Sequence, residues 1–208
     1  MYRWVISMNE ARETYNQALL ELFNNAVKSY DGILGLASPT GLGDSEKTVM
    51  ELAIKVAAAG GYIVDYAERI ANIYLVSATV AGKKPDKHKA RRLVFAAKRI
   101  DVLANKIRDV GARENIISNT DYQGMARNFV KELLNNGDGL RHFYVRARAL
   151  FKEIVDLSQN LIGEASDNLA LIGILPKRRV IEEFTESLSD NSELPEPVNN
   201  NKGGKTDQ

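Results

Sequence analysis

From Val49 to Tyr74 the chain places an apolar or small residue at every fourth or third position: Val49, Ala53, Val56, Gly60, Ile63, Ala67, Ile70 and Tyr74 follow one another without a miss. Steps of four and three bring side chains onto one face only in an α-helix, because a strand alternates faces at every residue. A second apolar column, Met50, Ile54, Ala57, Gly61, Val64, Ala71 and Leu75, lies beside the first. A helix apolar over so wide an arc must be covered from several sides, which predicts an all-α fold with this segment at its centre. Gly60 and Gly61 interrupt the column, and each costs a helix interior about 1 kcal/mol relative to alanine. Either a kink or a tight helix crossing follows, and the small residues on both columns favour the crossing.

The flanking segments repeat the pattern. A first helix is expected from Ser7, whose spacing to Glu10 reads as a capping box, through Met8, Ala11, Tyr15, Leu19, Leu22, Ala26 and Tyr30 to about Asp31. The run DGILGLASPTGLG, with four glycines and Pro39, is expected to be a loop. After Gly82, Asp86 offers an N-cap to a helix carrying Leu93, Ala97, Ile100, Ala104, Ile107 and Val110, which should form an antiparallel hairpin with the central helix. Thr120 and Gln123 suggest a capping box for a shorter helix with Tyr122, Met125, Phe129 and Leu133, stopped by NNGDG. The helix that follows carries Phe143, Ala147, Leu150, Ile154 and Leu161 and should break up around Gly163 to Asn168, with a short helix after Pro176. From Ser187 on, almost nothing apolar remains to offset ordering entropy. The expected organisation is an antiparallel helical bundle of four to six helices over residues 1–186 and a disordered acidic, polar tail over 187–208.

Net charge is only +1, so any electrostatic function must be local. Residues 83 to 113 hold eleven Lys or Arg against three Asp. Arg92, Arg99, Lys106 and Arg113 recur every seven residues, a stripe roughly 30 Å long that could follow a phosphate backbone. Arg141, Arg146, Arg148 and Lys152 could widen it if their helix is a neighbour, and Tyr144 among them could stack on a base. The candidate nucleic-acid-binding set is Lys83, Lys84, Lys87, Lys89, Arg91, Arg92, Arg99, Lys106, Arg113, Arg141 and Arg148. The competing explanation is that amphipathic helices simply solvate their outer faces with charge. Residues 180 to 208, with seven acidic against two basic side chains, could also cover the stripe in cis.

Other chemistries find little support in the residues. Without cysteine there is no disulfide framework, thiol nucleophile or thiolate zinc site. His88 and His142 are the only histidines, and no HExxH or ExxH pattern surrounds them, so no metal site is expected. In TGLGDSEKT, Lys47 and Thr48 precede a helix as in a phosphate-binding loop, but Glu46 takes the required glycine position and no strand leads in. No GxSxG elbow surrounds a serine. Phe129, Phe143, Tyr144 and Phe151 fall at helical spacing and read as core rather than as a cofactor box. The N-terminal MYRWVIS is too short for a signal peptide, and the most apolar later stretch contains Lys55, Asp65, Glu68 and Arg69. Neither export nor a membrane span is expected, which suits a cytoplasmic protein.

Residues 128–154, NFVKELLNNGDGLRHFYVRARALFKEI, resemble the helix, short turn and "LR.FY" helix of the small helical subunits in RNA-guided type III CRISPR complexes. The resemblance is confined to that segment, and the order of the remaining helices departs from that family. It implies a basic, non-catalytic bundle lining a nucleic-acid path, with Arg141 and Arg148 near the backbone. The basic stripe sets the expected function, that of a non-enzymatic subunit contacting RNA or DNA backbone within a larger assembly, with protein partners or self-association and no small-molecule cofactor. The alternative is an adaptor bundle that offers an apolar groove, lined by the small residues of the central helix, to a protein partner.

Overall fold

Among the described residues, burial of the central columns organises six helices, α1 (Tyr2–Ala37), α2 (Glu46–Ala59), α3 (Tyr62–Val80), α4 (Lys87–Arg113), α5 (Tyr122–Leu134) and α6 (Gly139–Leu171). The structure is a computed structural model and describes residues 2–39, 41–114 and 120–176, with the backbone alone for residues 2–8. No strand occurs among the described residues. The expected tail from Ser187 and the short helix after Pro176 lie outside them. Within the unit Met1–Leu175, all of Val49, Ala53, Val56, Ile63, Ala67, Ile70 and Tyr74 are buried, as the seam requires. α3 packs on α1, α4 and α6, while α2 packs on α4, α5 and α6.

The predicted central helix is two helices. It breaks at Gly60–Gly61, where Gly61 adopts φ +82°, a conformation costly for any residue with a Cβ. The expected close crossing is present at the same place: a methyl on Gly60 would overlap both the Ala104 side chain and the Arg108 guanidinium of α4. α4 also satisfies the backbone groups that the break leaves open. Asp101 Oδ1 accepts from the Gly61 N–H at 3.1 Å, at the start of α3, and Arg108 Nη2 donates to the Ala57 carbonyl at 3.2 Å, at the end of α2. The anionic partner therefore sits at a helix N-terminus and the cationic partner at a C-terminus, the favourable sense for both helix dipoles. Asn105 links them, accepting from Arg108 at 2.7 Å and donating to Asp101 at 3.4 Å.

The α3–α4 hairpin forms as expected. Gly61 meets Asp101 while the Tyr74 hydroxyl accepts from the Asp86 N–H at 2.9 Å, so contacts descend along α4 as they ascend along α3, an antiparallel arrangement. Asp86 caps α4, accepting from the N–H groups of His88 at 2.8 Å and Lys89 at 3.3 Å. Leu93, Ala97, Ile100, Ala104, Ile107 and Val110 are all buried.

Several helix ends depart from expectation. α1 already includes Ser7 and runs past Asp31 to Ala37. Its buried seam is Leu19, Ala26 and Ile33, whereas Ala11, Tyr15 and Leu22 are exposed. Ile33 extends that seam by one more heptad, and Gly32 is the point where the Tyr66 ring of α3 lies against α1, 2.7 Å from where a Cβ would stand. The interhelical loop shrinks to residues 38–45, closed by Ser45 capping α2 and by Lys55 Nζ donating to the Ser38 carbonyl at 2.7 Å. α5 is capped by Asp121, which accepts from Gly124 N–H at 2.9 Å, one residue later than the Thr120 box predicts. α6 does not break at Gly163–Asn168, because Ala165, Asn168 and Leu169 continue its buried face and Asn168 Nδ2 donates to Ser77 Oγ of α3 at 3.4 Å. It stops at Leu171, where Gly173 turns left-handed (φ +76°) and the Ile174 N–H reaches the Leu169 carbonyl at 3.0 Å in a Schellman closure.

Gly60 and Gly163 thus differ sharply in their surroundings. Gly60→Ala must force α2 from α4 and is expected to destabilise the bundle by about 1–3 kcal/mol. Gly163 has nothing within 4 Å of its Cβ position. Gly163→Ala should stabilise by roughly 0.5–1 kcal/mol through its helix propensity. Urea unfolding followed by circular dichroism checks both signs, and like effects at the two sites would remove the close crossing from the description.

Candidate nucleic-acid interface

α4 spans 27 residues, roughly 40 Å, and its side chains fall into distinct sectors because the helix is held on three sides. The inward sector is the apolar seam. The sector facing the α2–α3 break carries Asp101, Asn105 and Arg108. What remains is an exposed outer face with Arg91, Arg92, Phe95, Lys98, Arg99, Val102, Lys106, Asp109 and Arg113.

All four side chains of the heptad stripe, Arg92, Arg99, Lys106 and Arg113, emerge together on this exposed side. The two outer members form ion pairs with neighbouring helices. Arg92 Nε meets Glu153 of α6 at 2.9 Å and Arg113 Nη2 meets Glu132 of α5 at 3.2 Å. Arg99 and Lys106, between them, make no ion pair among the described residues. Lys89 pairs with Glu164 at 2.8 Å, and the hydrogen bond and charge of that carboxylate hold the Lys89 pKa above its ordinary value. A raised lysine pKa adds stability that is fully present below the unfolded-state pKa and lost only as pH rises through the folded one. The pair, about half exposed, is therefore constant across neutral pH and screened by solvent.

The rest of the predicted set divides. Lys83 and Lys84, on the α3–α4 turn, line a small pocket of about 120 Å³ together with Glu164 and Asp167. Lys87 is exposed at the start of α4. Arg91 faces an open hollow shared with Leu75, Phe95 and Lys98.

On α6 the expected widening of the patch holds for Arg146 but not for Arg148. Arg146 lines a groove of about 390 Å³ with Lys106, Arg113, His142, Asp109 and Glu132, where α4, α5 and α6 meet over Phe129 and Phe143. The latter two rings close its floor in an edge-to-face contact, centroids 5.1 Å apart. Arg148 stands two residues on, about 200° round the helix, and lines the groove against Leu34, Ala37 and Pro39 at the end of α1. Arg141, one heptad before Arg148, shares its face. Tyr144 is also on this side: its hydroxyl donates to the Gly41 carbonyl at 3.4 Å and Arg148 lies 5.9 Å over its ring, so it is engaged within the fold.

The four-and-three seam is buried among the chain's own helices, whereas Ala71 and Leu75 of the second column line the open hollow beside Phe95. Phe95 lies off every apolar seam of α4. Its signal in the sequence is that all four of its helical neighbours at three and four residues' distance, Arg91, Arg92, Lys98 and Arg99, are cationic.

Among the described residues there is no cluster of His, Asp or Glu suited to a metal ion, and no helix is long and apolar enough to cross a membrane. No family model matches the chain, and no curated protein or solved structure matches it.

Exposed ion pairs of this kind contribute roughly 0–1 kcal/mol each. Glu153→Gln and Glu132→Gln are accordingly expected to change unfolding free energy by no more than about 1 kcal/mol apiece. Urea titration of each variant tests this, and a loss well above that limit would show that Arg92 and Arg113 are committed to holding helices together.

Proposed function

We propose that this chain is a non-enzymatic helical subunit that contacts nucleic-acid backbone along the outer face of α4 within a larger assembly. The observation that carries the reading is the run Arg91, Lys98, Arg99 and Lys106, four exposed cations on one helix with no ion pair among the described residues. A cation already held by a carboxylate gains little from a phosphate, whereas an unpaired one releases the counterions that phosphates have condensed. Arg146 extends the positive surface across the groove to α6, and the weak pairs at Arg92 and Arg113 can exchange a carboxylate for a phosphate at small cost. Of the three arginines in residues 128–154, Arg146 reaches the groove beside α4 while Arg148, and Arg141 on its face, lie off it, so the main contact is assigned to α4.

Four phosphate contacts to a single strand predict that affinity falls on the order of 50-fold between about 50 and 200 mM salt. Arg99→Glu with Lys106→Glu should weaken binding of an oligonucleotide and reduce the logarithmic salt slope by roughly 1 to 2. Both side chains are exposed, so circular dichroism should be unchanged. Fluorescence anisotropy titrations at several salt concentrations read both quantities; an unaltered affinity and slope in the double variant would remove α4 from the contact.

A further inference from the structure

Phe95 stands with 68% of its surface exposed in the middle of the cationic face, and Val102, two turns on, is 52% exposed. A lone exposed apolar side chain is ordinary. A phenyl ring whose four nearest helical neighbours are Arg91, Arg92, Lys98 and Arg99 is a different arrangement, since it presents a π-face inside a ring of phosphate-binding groups. The fold makes no use of that face: among the described residues Phe95 enters no aromatic or cation–π contact. Beside it lies an open hollow of about 380 Å³, floored by Ala71, Leu75 and Val94 and rimmed by Arg91 and Lys98.

We infer that α4 binds single-stranded nucleic acid, with an unpaired base stacked on Phe95 over this hollow and the flanking phosphates held by Arg91, Lys98 and Arg99. The inference rests on the reading of α4 as a backbone-contacting surface and adds the kind of strand. The argument for a single strand is chemical. A phenyl ring has no hydrogen bond to offer a base edge; it offers a stacking platform, and only an unpaired base can leave its neighbours to use one. Each base has a π-face, so such a platform tolerates any sequence. A guanidinium plane from Arg91 or Arg99 can cover the base from the other side.

The test uses the full chain, a fluorescein-labelled oligouridylate of about 20 nucleotides and a duplex RNA of equal length. Phe95→Ala should weaken oligouridylate binding by roughly 5- to 150-fold, the range for loss of one stacked base. Its salt slope should not change, because no phosphate contact is removed. Phe95→Trp should restore binding; with Trp4→Phe in the same chain, the remaining indole should be quenched by oligouridylate and not by the duplex. Because the ring is exposed, Phe95→Ala should keep the parent's circular dichroism. Equal affinity of Phe95→Ala and parent overturns the stacking but leaves the backbone contact standing if binding still falls with salt. Duplex bound as tightly as the single strand, with both weakened by Phe95→Ala, overturns the choice of strand. A parent chain that dimerises and becomes monomeric on Phe95→Ala puts a second copy on this face instead, and a parent that binds neither nucleic acid ends both readings.

Discussion

The close approach of α4 to the break between α2 and α3 is the constraint on which the rest of the bundle depends. At Gly60 the two backbones come near enough that no side chain fits between them and Ala104 or Arg108. That proximity is possible only because the break itself is chemically satisfied, with Asp101 on the first N–H of one helix and Arg108 on a terminal carbonyl of the other. Two charged residues seven apart on α4 therefore fix its rotation and its height against the core. Once these are fixed, the positions of every other α4 side chain follow from the helical repeat.

That rotation gives α4 its division of labour. The seam from Leu93 to Val110 faces the core, Asp101 and Arg108 face the break, and carboxylates of α5 and α6 reach Arg113, Arg92 and Lys89 along the other edge. Lys89, Arg92 and Arg113 are thus paired, while other cations of the outer face have no ion pair among the described residues. These include Arg91, Lys98, Arg99 and Lys106 around Phe95, and Arg146 enters from α6 across a groove. Phe95, with 68% of its surface exposed, adds an apolar ring to this otherwise charged face.

Much of this was legible in the residues. The four-and-three repeat marked the buried face of α2 and α3, the Asp86 cap marked the start of α4, and the antiparallel hairpin followed from a short turn between two apolar seams. Several departures involve glycine, which can break a helix, permit a close contact or simply be carried within a helix, and sequence alone does not say which role it plays. Gly32 was read as a break and is a contact with Tyr66; Gly163 was read as a break and lies in an unbroken helix held by Leu169. Gly60 and Gly61 divide the two roles between them, one permitting the crossing and the other turning the chain.

The candidate site was legible in part for a related reason. Heptad spacing placed Arg92, Arg99, Lys106 and Arg113 on one side of α4 but carried no information about Glu153 and Glu132, which arrive from distant sequence. It also could not say that Arg146 would turn toward α4 while Arg148 turned toward α1, because that depends on which helices flank α6.

The most direct measurement is an amide chemical-shift map of the full chain during titration with oligouridylate. A contact on the outer face of α4 predicts perturbations centred on Phe95, Lys98, Arg99 and Lys106 and reaching Arg146. Perturbations centred instead on Arg141, Arg148 and Lys152, or spread evenly over the surface, would contradict it.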